Sequence, residues 1–298
     1  MVHLRRCLAG SAAAAAALGL CAGLPLHAHA ERFFGADVAY AYDDNLTRAA
    51  DPSDRRGDSL VFASLRAGQF VALARGDSVE ASAGIRATGY ARYSLLNGVA
   101  LDADATYRRK FGLGANAPWI SVGVAASHED LRDDIRDSDR IELSVTAGRR
   151  WSERIDVSAG YAHDRRLAEH DEPLVPGISG APYDGSGDSA FVRAGVALSD
   201  RLLLDAAWRI RRGDVVATTP AGEAIFVAST AIAEDGAFGP ERYGYRLRGT
   251  TRTASVTLSY ALGEHSALNF GYAAEKTTAA AGLTYPSQVV SATYVWRY

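Results

Sequence analysis

Apolar and polar residues alternate along most of this chain beyond residue 31, in runs of about ten residues, the length of a strand that crosses a bilayer. Residues 79–93 show the pattern best. Val79, Ala81, Ala83, Ile85, Ala87, Ala91 and Tyr93 share one parity, and Glu80, Ser82, Gly84, Arg86, Thr88 and Arg92 share the other. Side chains on a strand point alternately to its two faces, so each such run predicts a strand with one apolar and one polar face. The pattern predicts twelve strands, near 32–43, 58–72, 78–94, 99–111, 118–128, 140–150, 154–164, 188–199, 201–212, 243–262, 267–276 and 284–298. The run 224–233 is apolar enough to extend a hairpin, fold inward or raise the count to fourteen.

The connections alternate as well. Residues 74–77, 112–118, 151–154, 199–201 and 263–266 are short and rich in turn formers. Residues 43–58, 129–139, 165–188, 213–242 and 276–283 are longer and polar, and the connection around Asn97-Gly98 is tight. Short turns at one end and long loops at the other, with an even strand count, predict an all-β fold: a transmembrane antiparallel up-and-down β-barrel.

A soluble sandwich also alternates, so charge and ring placement matter. Glu80, Arg86, Arg92, Asp102, Asp104, Arg108, Glu142, Asp156, Arg193, Asp205, Arg209 and Arg211 all fall on the polar parity. Each would cost about 2–4 kcal/mol in lipid near the bilayer midplane, which makes them candidate lumen-lining residues. Tyr93, Tyr107, Tyr161, Trp208, Tyr260 and Tyr272 share the apolar parity toward strand ends. They are candidates for an interfacial girdle, because an aromatic ring with a polar tip suits that level; ordinary core packing is the alternative. The closing run Ala292-Thr293-Tyr294-Val295-Trp296-Arg297-Tyr298 places Tyr294, Trp296 and Tyr298 on one face.

The N-terminus reads as an export signal. Arg5 and Arg6 precede an apolar, Ala-rich stretch, and Ala28-His29-Ala30 has the small-x-small form of a cleavage site. Residues 1–30 are thus expected to be removed, leaving 31–298 as one outer-membrane barrel. Lipidation at Cys21 is disfavoured by Leu20, because the preceding residue should be small. Both cysteines, Cys7 and Cys21, lie in this segment, so the exported part offers neither disulfide nor thiolate site. The net charge is −3 with both signs interspersed, which leaves no basic stripe for nucleic acid.

The terminal run resembles the C-terminal signature of bacterial outer-membrane proteins, which implies recognition by the barrel-assembly machinery and a setting of outer-membrane lipid and lipopolysaccharide. The run Tyr42-Asp43-Asp44-Asn45 at the first strand-to-loop passage resembles uncharacterised proteobacterial barrels and the barrel half of the surface lipoprotein assembly modifiers. Those modifiers carry a helical repeat domain for which this chain has no room. Asp43, Asp44 and Asn45 read as a solvated loop start, or as a contact to divalent cations or lipopolysaccharide.

No catalytic motif is recognisable. His128, His163, His170 and His265 are not followed two residues later by the serine of the outer-membrane phospholipase and deacylase types. Asp102-Ala103-Asp104 has an omptin-like spacing without its Asp-x-His partner; pairing with Arg86, Arg92 or Arg108 explains those carboxylates. No metal cluster, phosphate loop or cofactor motif is evident. The expected function is a small channel for polar or anionic solutes with a mixed-charge lumen. Arg193 beside Arg209 and Arg211 would tilt it toward anions. The alternatives are a closed structural or surface-binding barrel with functional long loops and, ranked below it, an enzyme at the rim. The oligomeric state is not legible.

Overall fold

The structure is a computed structural model that describes residues 29–73 and 76–298. The expected export segment lies outside the described residues except for His29 and Ala30. These begin the first strand and pair with Ala72 and Val71.

Twelve antiparallel strands form a closed ring. They are β1 (His29–Asp43), β2 (Asp58–Ala72), β3 (Asp77–Tyr90), β4 (Gly98–Lys110), β5 (Trp119–Leu131), β6 (Ser138–Arg150), β7 (Ile155–Ala168), β8 (Gly185–Ala197), β9 (Leu202–Pro220), β11 (Arg242–Ala261), β12 (Ser266–Ala279) and β13 (Thr284–Arg297). Each pairs with the next, β9 pairs with β11, and β13 returns to β1 with Gly35 opposite Arg297. Closure leaves no free edge in the wall, which is what a sheet needs where no water can satisfy an open edge. No helix among the described residues is long and apolar enough to cross a membrane.

The two ends differ. At one end short turns join β2–β3, β4–β5, β6–β7, β8–β9 and β11–β12. At the other, β9 and β11 overshoot their neighbours as a tall hairpin. The pairing of β11 with β12 stops at Gly249, so β11 would have a bare edge above that point. A short thirteenth strand, β10 (Ala231–Glu234), covers it by pairing with Tyr243–Arg246. One helix, α1 (Glu223–Ala228), precedes β10. The apolar run 224–233 is therefore most of α1 and most of β10, outside the ring of twelve.

Residues 213–220 were expected in a loop and belong to β9. They lost the two-residue period because this part of the hairpin meets protein on both sides: Ala217 and Thr218 are both buried. β3 ends before the expected position. Asp58 accepts hydrogen bonds from the backbone N–H groups of Arg92 (2.8 Å) and Tyr93 (3.1 Å), which takes them out of the ladder.

Alternation is realised as an apolar outer wall and a polar inner one. Leu65, Leu101, Leu143, Val192 and Phe270 stand on the outer face and are 50–54% exposed. The buried apolar clusters of the described residues lie instead at the long-loop end. One gathers Ala217, Ile225, Ile232, Tyr245, Leu247, Ala279 and Tyr285. The other gathers Leu96, Ala237 and Phe238, with Leu46, Tyr90 and Tyr93 against it.

Candidate functional site: the lumen and its cap

The charges of the inner wall are matched between strands. Arg66 on β2 faces Asp104 on β4 at 3.3 Å, and Ser82 on the intervening strand donates to the same carboxylate. Arg86 lies 3.6 Å from Asp102 and 3.8 Å from Glu129. Glu142 stands between Arg140 at 3.6 Å and Arg209 at 3.9 Å, and Arg209 also donates to Ser189. Arg211 makes the tightest pair, a fork onto both oxygens of Asp164 at 2.8 and 2.9 Å. That fork spans from β9 to β7 and passes over Gly187 of β8; any side chain there would occupy the guanidinium's position.

Near the short-turn end Glu80, Arg108, Lys110, Arg150 and Asp156 line a space of about 530 Å³. Arg108 lies 4.0 Å over the ring of Trp119, and Arg150 is 3.4 Å from Asp156. Arg193 sits opposite Ala207, and Asp205 opposite Gly195, on the inner parity of β8 and β9. The expected Arg row on this wall is broken up, because Arg209 and Arg211 each meet a carboxylate. Arg92 is not in the wall: it lies in the loop after β3.

Sequence reasoning passed over Arg66, Glu129, Arg140, Asp164 and Arg166. Asp164 was legible, since it keeps the polar parity of β7; Glu129 and Arg166 fell in segments read as loops. The opposite wall differs in character. β11 turns Thr251, Thr253, Ser255, Thr257 and Ser259 inward, and β13 adds Ser291 and Thr293, so that side is mostly hydroxylated; Glu275 of β12, at its upper end, accepts from Thr253 and meets Arg48.

Of the expected girdle, Tyr107, Tyr161, Trp208, Tyr260, Tyr272 and Tyr294 stand exposed on the outer face. Trp296 stacks on Tyr298 and meets Phe34 edge-on. Tyr93 does not belong with them. It sits in the loop after β3 with its ring 5.0 Å from Phe238, because Asp58 has ended the strand before it.

A cap closes over the long-loop end. The hairpin β9–β11 and the segment 221–241 reach all five other loops at that end. Thr218 donates its N–H to the Thr47 carbonyl, and Arg242 meets Asp54. Phe238 packs on Tyr93, and Ile232 donates to the Ser179 carbonyl. Leu283 packs into the larger apolar cluster. At the centre Asp235 is 0% exposed. One of its oxygens accepts from Arg136 (2.7 Å), the Tyr183 hydroxyl (2.9 Å) and the Thr218 hydroxyl (2.6 Å). The Arg136 guanidinium also lies 4.4 Å over the Tyr183 ring. Asp133, 3.3 Å from Arg136, has its carboxyl pushed up to about 6, chiefly by burial; Arg136 opposes the shift and Asp235 adds to it.

The Asp43-Asp44-Asn45 run is structural, not a solvated loop start. Asp43 accepts from Arg48, Ser287 and the Asn45 N–H, and the Asn45 amide donates to the Ala49 and Pro286 carbonyls. Asn45 is fully buried by these bonds. Between cap and wall lies a cavity of about 330 Å³, lined by Arg48, Glu129, Arg140, Asp164, Arg166, Arg211, Glu275 and Thr251 among others.

No family model matches the chain. No curated protein matches it either. Among solved structures, an outer-membrane channel from Pseudomonas putida superposes with a TM-score of 0.57 at 11% identity, covering 93% of this chain and 97% of that one. The NanC porin gives a TM-score of 0.47 at 8% identity over 87% and 98% of the two chains. An anion-selective porin from Comamonas acidovorans gives 0.42 at 9% identity over 91% and 100%. The first of these places the chain in the fold of an outer-membrane channel.

Proposed function

We propose that this chain is an outer-membrane channel for small polar solutes, with its long loops facing outward and its short turns in the periplasm. The carrying observation is the inverted wall: half-exposed Leu, Val and Phe outside, Arg, Asp and Glu inside. In water that arrangement exposes a continuous apolar band far beyond the patches monomers tolerate; in a bilayer the band is solvated by lipid and the charges by lumen water. Lipopolysaccharide would surround the band, and the barrel-assembly machinery would install it.

Because Arg209 and Arg211 are matched by Glu142 and Asp164, the lumen favours neutral and dipolar solutes over anions. The hydroxyl wall supports this reading, since Ser and Thr both donate and accept without a net field. The test is swelling of liposomes that contain the refolded protein. Neutral monosaccharides should enter, faster than sugar acids of the same size. Entry of the acids alone would overturn the solute preference. A well-inserted, heat-modifiable barrel that admits neither would favour the second reading, a closed barrel that binds through its loops, to which the buried Asp235 contact lends support.

A further inference from the structure

Three potential metal ligands form a row on the outer face of the barrel at its long-loop end. On β5 the outward series Ile120, Val122, Val124 and Ala126 ends in His128; on β6 the series Val145, Leu143 and Ile141 ends in Asp139. The two are direct register partners. Glu169, the first residue beyond β7, continues that strand's outward parity. Its N–H is held by the Asp137 carbonyl, which places its side chain diagonally from Asp139. The His128 Nδ1 lies 3.1 Å from the Asp139 carboxylate and 3.9 Å from that of Glu169, and all three donor atoms lie within 4.8 Å of one another.

The surroundings are anionic. Asp130 at the end of β5 and Asp133, Asp134 and Asp137 in the loop that follows outnumber that loop's two cations, Arg132 and Arg136, and Arg136 is drawn away into the cap by Asp235. Arg140, next in sequence to Asp139, turns inward to Glu142.

We propose that His128, Asp139 and Glu169 bind a divalent transition-metal ion of the zinc class. Zinc takes imidazole nitrogen at about 2.0–2.1 Å and carboxylate oxygen at about 2.0–2.2 Å, in a tetrahedron. Donor atoms bound at those lengths stand a little over 3 Å apart, so His128 and Asp139 are already placed and Glu169 needs only a rotamer change. Glu169 has that freedom, with its side chain 45% exposed. Three protein ligands leave one position for water. The imidazole selects against magnesium and calcium, which take oxygen ligands. A bound ion would tie three adjacent strands together at the rim, whether or not the lumen conducts.

The test is calorimetric titration of tag-free, refolded protein in detergent with zinc chloride alone. One ion per chain is expected, weakened by roughly tenfold or more in His128→Ala and in Glu169→Gln, since even losing a residue that merely orients a ligand costs about that much. His163→Ala is the control. This neighbouring outer-face histidine is bonded to Asp188 and should bind zinc like the parent protein. Heat-modifiable migration confirms that each variant has folded. Absence of binding in the folded parent, binding unchanged in His128→Ala, or equal loss in His163→Ala would overturn the proposal. Displacement of zinc by equimolar magnesium would do so as well.

Discussion

The wall and the cap of this barrel are built on opposite principles. Among the described residues the wall holds no buried apolar cluster: it turns Leu65, Leu101 and Leu143 outward and fills its interior with pairs such as Arg66–Asp104 and Arg211–Asp164. The cap resembles a small soluble protein, with Tyr245, Leu247 and Tyr285 packed together and Asp235 sealed beside Arg136. The difference follows from the solvent each part meets. The wall relies on lipid to cover its apolar side and on pairing to settle its charges, whereas the cap stands in water and must bury its own apolar surface. The two should therefore fail separately, and four changes probe that separation.

The largest effect is expected from Arg136→Ala. It leaves the Asp235 carboxylate buried without its cation, and breaking such a pair costs about 3–5 kcal/mol. The cap should loosen while the wall stays closed: limited proteolysis should cut within 221–241, and heat-modifiable migration should be retained. Loss of heat modifiability would show that cap and wall fold as one unit.

Next comes Arg211→Ala. Asp164, whose side chain is only 7% exposed, would then lose both bonds of its fork. Stranding a largely buried group costs roughly 1–3 kcal/mol. Here the wall is perturbed and the cap spared, so the reversal potential should move toward cations with no new protease site. Unchanged ion selectivity would mean that this pair does not border the conducting path.

A smaller effect concerns pH. The Asp133 carboxyl, raised to about 6 in the folded cap, binds its proton there more tightly than in the unfolded chain. The stability it contributes is therefore full in acid and falls as pH rises from the ordinary carboxylate range toward 6. Hydrogen exchange in 129–139 should speed up between pH 4 and 6 beyond the intrinsic rate, then level off. Asp133→Asn should remove the step, and a step that survives would assign it to another group.

The smallest effect is Thr253→Ala on the hydroxyl wall, expected to change stability by no more than about 0.5 kcal/mol. It should alter solute entry only for sugars. An effect on salt conductance larger than that of Arg211→Ala would invert the roles assigned to the two walls.

The same division explains what could be read from the residues alone. Wall strands face lipid on one side and the lumen on the other, so their sequences alternate; β2 is legible to the residue, and the other expected strands find their counterparts with shifted ends. The cap faces protein on both sides, so the period vanishes at residues 213–220 and reappears as an apolar run in 224–233. Arg136 and Asp235 stand 99 residues apart and carry no local signal that pairs them. The parity that put Arg209 and Arg211 inside was visible; the carboxylates that meet them, Glu142 and Asp164, come from β6 and β7, and only the closed register brings them together.

The most direct test of the account is single-channel recording of the purified, refolded protein in a planar bilayer, beside Arg136→Ala. The account predicts small, weakly selective conductance in the parent protein and larger conductance once the cap is loosened, with the barrel intact in both. Silence in both proteins, each shown to be inserted and folded, would contradict it.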